Sequence, residues 1–261
     1  LDSWLYNTTQ FTRSLGMPLS DEDLWYCKQN GYYRLLDPLP SDLIDGLNKT
    51  TDAQLAELCE PIVWEDSPSR TPADIRRLSK IIDRDPVYFE AATHPLILDA
   101  LENFLGPNIE LLRNKHNHLM VRPPKSGVVS WHTGEHIYDP VLFTALIYLQ
   151  ESTIENGCIR IVPGSHQRPF HSQKRYPAGE FKSQALYLRA LPVPMPAGGV
   201  LLFDDRLYHG ADINDTEKSR RSITLAYRAH DAHDVLKEDP EKIIVRGKRI
   251  YTGHPHPFPG S

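Results

Sequence analysis

From residue 109 onward the chain is cut into short apolar or alternating runs by glycine, proline, asparagine and aspartate, and this pattern constrains the fold most. The runs cover 109–112, 118–121, 128–131, 141–149, 158–162, 185–191, 200–203 and 222–227. Short runs of this kind between turn-forming residues are the signature of strands, and about eight of them is the inventory of a jelly roll. Helices are expected ahead of this region. Ser20-Asp21-Glu22-Asp23 supplies a cap and first-turn acids to a short helix that Gly31 closes, with a strand over 32–36 behind it. Ser41 is expected to cap a second helix through Leu43, Ile44 and Leu47, and Pro95 to open another that stops at Gly106. No repeat or low-complexity tract divides the chain, so residues 1–261 are expected to form a single, mostly β domain.

Composition excludes several partners. A net charge of −5 with 24% charged residues gives no general attraction to a nucleic-acid polymer or a membrane surface. The three cysteines, Cys27, Cys59 and Cys158, are too few and too far apart for a disulfide framework or a CxxC zinc pattern, which suits a reducing cytoplasm. No apolar run reaches membrane-spanning length, and the first residues lack the basic-then-apolar pattern of a signal peptide. A cytoplasmic protein is the expectation.

The chemistry concentrates on two histidines. Trp131-His132-Thr133-Gly134 continues the strand-like run from Val128, and side chains two apart on a strand share a face, so His132 and position 134 look toward one site. His209 follows 77 residues later, just after the run 200–203. A zinc site built from His132 and His136 one helical turn apart would need helical backbone, which Gly134 and the β-branched residues before it oppose.

The ordered set Trp131-His132-Thr133-Gly134, Asn156-Gly157-Cys158, Val162-Pro163-Gly164-Ser165-His166, Gly198-Gly199-Val200-Leu201-Leu202-Phe203, Tyr208-His209-Gly210 and Arg220 resembles the phytanoyl-CoA dioxygenase-like enzymes, over roughly residues 109–228. The resemblance implies a double-stranded β-helix of the jelly-roll, cupin-like kind. It also implies an Fe(II) ion held by His132 and His209, and 2-oxoglutarate as cosubstrate for the oxidation of a small molecule by oxygen. Arg220 falls where such enzymes keep the arginine for the distal carboxylate of 2-oxoglutarate; Ser222, two residues on, shares its strand face, while Arg221 points the other way and is expected to be structural.

Gly134 is the chief departure from the pattern. The resembling enzymes carry aspartate or glutamate there as third iron ligand, and glycine supplies no ligand and leaves a hole beside the metal. Enzymes similar to this one with glycine or alanine at this position are radical halogenases, in which chloride fills the hole. A chlorinating enzyme is therefore the expectation, with a hydroxylase using Glu135 or water as third ligand as the alternative. Glu135 would require a bulge, because on a regular strand it points away from His132. A binding module on the same fold would need no iron. The segment 165–179 carries His166, Arg168, His171, Lys174 and Arg175 with no acid among them, which suits a free-standing anionic substrate such as a nucleotide.

Overall fold

In the computed structural model, residues 19–64, 71, 74–134, 142–167, 187–230 and 243–248 are described. Among the described residues, four α-helices lie ahead of the main β region: α1 (Asp21–Asn30), α2 (Ser41–Ala56), α3 (Pro86–Ala92) and α4 (Pro95–Leu105). The Ser20 side chain accepts from the Asp23 amide while the Asp23 carboxylate reaches back, a reciprocal capping box, and Gly31 ends α1 in the left-handed conformation. Helix α4 starts on Pro95 and stops at Gly106 as expected. Ser41 does not cap α2: it is the first helical residue, preceded by Pro40, whose side chain has no oxygen with which to hold the free amides.

The described strands are β1 (Tyr32–Leu35), β2 (Ile62–Trp64), β3 (Ile75–Ser79), β4 (Ile109–Leu111), β5 (His118–Arg122), β6 (Val129–His132), β7 (Leu142–Tyr148), β8 (Ile159–Ile161), β9 (Leu191–Pro192), β10 (Val200–Asp204), β11 (His209–Ala211), β12 (Arg220–Ala229) and β13 (Ile243–Arg246). Seven of the eight predicted runs are strands in place. The run 185–191 is corrected: its described part is a 3-10 turn over Tyr187–Arg189 with only a two-residue strand after it. Proline at 192 and 194 leaves no room for a longer ladder there.

The strands form two antiparallel sheets. The larger runs β1-β10-β7-β12-β5-β3-β2, with β4 pairing with β12 and β13, and the smaller runs β6-β11-β8-β9. One face of the larger sheet, through Ala145, Ile147, Val200, Leu202, Ile223, Leu225 and Tyr227, packs under the helices in a core shared with Leu47, Ile97 and Leu101. Its other face meets the smaller sheet, where Leu146, Tyr148, Leu201 and Phe203 contact Ile159 and Ile161. This is the mostly β, jelly-roll architecture expected from the strand pattern, and the chamber between the sheets is where the sequence motifs converge.

Candidate metal centre

His132 ends β6 and His209 begins β11, and the two are direct cross-strand partners in the smaller sheet. Their rings lie 4.2 Å apart between centroids. Each ring is held by the same device. His132 Nδ1 is 2.7 Å from the Ser130 carbonyl and His209 Nδ1 is 2.8 Å from the Leu207 carbonyl. A carbonyl can only accept, so each Nδ1 carries the proton and each Nε2 keeps its lone pair, the tautomer a metal requires. His209 is buried, and burial above all, with the facing His132 adding to it, lowers its pKa to about 3. A neutral imidazole pair of this kind fits a divalent iron ion.

The motifs around the histidines have structural work in the fold. Ser165, in the Pro163-Gly164-Ser165-His166 turn, accepts the Tyr208 amide at 2.9 Å, which fixes the backbone next to His209. His166 and Gln167 then bond to the Lys28 carbonyl at the end of α1, so His166 braces the turn instead of standing on a rim. In Asn156-Gly157, both carbonyls face Arg220: Nε reaches the first at 3.3 Å and Nη2 the second at 2.7 Å. Gly157 has φ of 72°, and a Cβ there would lie 2.5 Å from the Asp212 carbonyl, so only glycine fits.

Arg220 and Ser222 sit on the inner face of β12, with Ser222 in register with Tyr148 on β7. The Tyr148 hydroxyl is fully buried without a hydrogen-bond partner among the described residues, and burial pushes its pKa up against the pull of the nearby Arg220 charge. A buried hydroxyl left open beside a guanidinium fits a carboxylate-bearing guest, and Arg220, Ser222 and Tyr148 are the groups that would hold the distal end of 2-oxoglutarate. Arg221 points outward and pairs with Asp52 of α2 at 2.7 Å.

The space beside Gly134 differs from expectation. It is not a hole: a Cβ built on Gly134 would fall 1.6 Å from Oδ2 of Asp205. The alternation of β10 explains why. Leu201 and Phe203 point into the chamber, Phe203 against the His209 ring with centroids 4.9 Å apart, and Asp205 continues their face one residue past the strand. The Asp205 carbonyl also accepts the Gly134 amide at 2.6 Å. Lys115 Nζ lies 2.6 Å from Oδ2, His116 Nε2 3.1 Å from Oδ1, and the Thr144 hydroxyl 3.4 Å from Oδ1. Burial alone would raise the Asp205 pKa, but His116 and the Lys115 ammonium outweigh it and hold the carboxyl well below the usual range. Among the described residues no group of three His, Cys, Asp or Glu side chains is arranged to hold a metal ion. Glu135, His136 and the basic residues Arg168, His171, Lys174 and Arg175 lie outside the described residues.

The chain matches the phytanoyl-CoA dioxygenase family over residues 27–222 and belongs to it. A probable alpha-ketoglutarate-dependent hypophosphite dioxygenase of Stutzerimonas stutzeri is 30% identical over 193 residues, which is 66% of this chain and 66% of that one. This chain thus spans about two thirds of the length of that relative. A methylphosphonate hydroxylase of Gimesia maris is 26% identical over 225 residues, 84% of this chain and 85% of that one. Among solved structures, EctD from S. alaskensis with bound Fe superposes with a TM-score of 0.71 at 22% identity, over 92% of this chain and 90% of that one. The epimerase SnoN in complex with Fe3+, alpha ketoglutarate and nogalamycin RO does so with a TM-score of 0.70 at 19% identity, over 86% and 98%. At these identities the two structures share the fold. The family is one of iron- and 2-oxoglutarate-dependent dioxygenases, and this chain is an enzyme of that kind. The relatives named here are dioxygenases and a hydroxylase, so their names favour the oxygenase alternative over halogen transfer. No helix among the described residues is long and apolar enough to cross a membrane.

Proposed function

We propose that this enzyme uses iron and 2-oxoglutarate to oxidise a small anionic molecule and that Gly134 directs the oxidation to transfer of chlorine. The observation that carries this reading is the residue at 134. Two imidazoles, each with its Nδ1 tied to a backbone carbonyl, face each other on adjacent strands, and residue 134 brings no side chain of its own. A carboxylate from 134 is thereby ruled out as third ligand, and a halide takes that coordination position once the Asp205 carboxylate that fills the space moves aside. Iron with 2-oxoglutarate would supply the power to break an unactivated C–H bond. The protein's own part is to hold the two imidazoles in one tautomer, seat 2-oxoglutarate on Arg220, Ser222 and Tyr148, and keep water out of a chamber walled by Leu146, Leu201 and Phe203.

Hydroxylation is the second reading. Besides the relatives' names, the Asp205 carboxylate beside Gly134 favours it, since a carboxylate in that gap is the group a hydroxylase needs. An anionic substrate is supported by the relatives named for hypophosphite and methylphosphonate, both small phosphorus oxyanions, and by the acid-free basic segment 165–179. The test is a panel of phosphorylated, phosphonate and carboxylate small molecules incubated with the enzyme, iron, 2-oxoglutarate and oxygen, with and without chloride, read by mass spectrometry. The expected product carries the isotope pattern of chlorine, and its bromine counterpart forms when bromide replaces chloride. A product hydroxylated equally well in both conditions selects the second reading.

A further inference from the structure

Asp205 and Lys115 belong to neither the histidine pair nor the 2-oxoglutarate end, yet they fill the most telling space in the molecule. The Asp205 side chain is 5% exposed and that of Lys115 13%, so the pair is largely out of water. One carboxylate oxygen, Oδ2, does two things at once: it occupies the place of a Cβ at residue 134, and it accepts from Lys115 Nζ at 2.6 Å. The ammonium therefore borders the gap beside Gly134. His116, which approaches the other oxygen, is held with φ of 50°, in the left-handed region that side chains seldom adopt. A backbone turned in this way between β4 and β5 brings two nitrogen-bearing side chains onto one carboxylate. The gap is thus an anion site with a built-in anion.

Resting on the halogen-transfer reading above, we propose that Lys115 is the cation that receives the halide beside Gly134, and that Asp205 is the internal occupant the halide displaces. Two anions cannot share one small buried space, because like charges at contact distance repel strongly at low effective dielectric. When the Asp205 carboxylate swings out, Lys115 is left charged, buried and without its partner, a costly state that a halide in the vacated space relieves. Gly134 fits both occupants, since any larger residue collides with Asp205 before a halide arrives. In this arrangement halide affinity is set by the competition between chloride and Asp205 for one ammonium.

The test uses the full-length protein loaded with Co(II) in place of iron and titrated with bromide, the visible absorption of the metal reporting halide binding. Anomalous scattering from bromide-soaked crystals locates the ion. Asp205→Asn keeps the shape and removes the competing charge, and bromide should bind about tenfold or more tightly; Lys115→Met should weaken it by about tenfold or more, while Lys115→Arg stays near the unaltered protein. Co(II) should load normally in all three. If bromide binds beside Gly134 with the same affinity in every variant, the pair is only structural and this proposal fails while halogen transfer stands. If Asp205→Asn no longer loads Co(II) and the unaltered protein shows no bromide response, Asp205 is a metal ligand and both readings fall.

Discussion

Strand β12 carries two faces that are almost equally buried and chemically opposite. Ile223, Leu225 and Tyr227 look toward the helices into an aliphatic core, whereas Arg220, Ser222, Thr224 and Arg228 look into the chamber. Burial therefore does not separate scaffold from site. What separates them is whether the buried groups are polar, because a folded chain encloses hydroxyls and guanidinium groups only where something satisfies them. Arg228 shows this for structure, lying against Glu110, which also holds His230 at 2.6 Å. Tyr148 is the counterpart at the proposed 2-oxoglutarate end, its hydroxyl buried near Arg220 with no hydrogen-bond partner among the described residues.

The sharpest break of the comparison comes at the histidines. His132→Ala or His209→Ala should reduce turnover to background and lower iron affinity by about two orders of magnitude or more, with little change in the melting temperature of the metal-free protein. Chelator competition and thermal unfolding on the same sample check both halves. On the opposite face the pattern should invert. Leu225→Ala should cost about 2–5 kcal/mol of stability in urea unfolding. Turnover per folded molecule should stay near normal.

Two neighbours on one strand sharpen the contrast further. Arg220→Ala should raise the 2-oxoglutarate requirement by about thirtyfold, equivalent to about 2 kcal/mol for a lost charge-assisted partner. Arg221→Ala, which breaks only the outward pair with exposed Asp52, should change stability by about 1 kcal/mol or less and leave that requirement alone. A pH effect concerns His118 on the inner face of β5, whose pKa burial lowers from 6.5 to about 3. The unfolded chain takes up a proton near pH 6.5 that the folded chain refuses until about pH 3. The associated stability is therefore complete above pH 6.5 and drains away as pH falls through that window. Urea unfolding of metal-free protein at pH 7 and pH 5 should show this loss, and His118→Gln should reduce it.

Much of the β architecture was legible because its strands alternate between turn-forming residues. What escaped was short or lacked that alternation. Strand β2 is three residues long, and β11 is His209-Gly210-Ala211, with no apolar rhythm. Helix α3 also went unread, although Asp85 ahead of Pro86 is a capping residue before a first-turn proline. At the site, His132, His209 and Gly134 were legible from spacing and resemblance. Asp205 was not, because Asp204-Asp205-Arg206 after a strand reads as a solvated turn. Its signal was the inward series Leu201, Phe203, Asp205, which only gains meaning once the chamber is known. Lys115 and His116 gave no signal, since only the turn between β4 and β5 brings them onto Asp205.

If iron is held as proposed, the cross-strand pairing of His132 with His209 would make it a rivet through the edge of the smaller sheet. The ladder is irregular immediately beyond this pair, with a register shift between His209 and Ala211, so such an ion would bridge the two strands next to an interruption of their ladder. Iron loading and the local opening of β6 from β11 are then one equilibrium. In the metal-free enzyme the amides of these two strands should exchange with solvent sooner than those of β7 and β12 in the larger sheet, so the active site would double as the fold's softest seam.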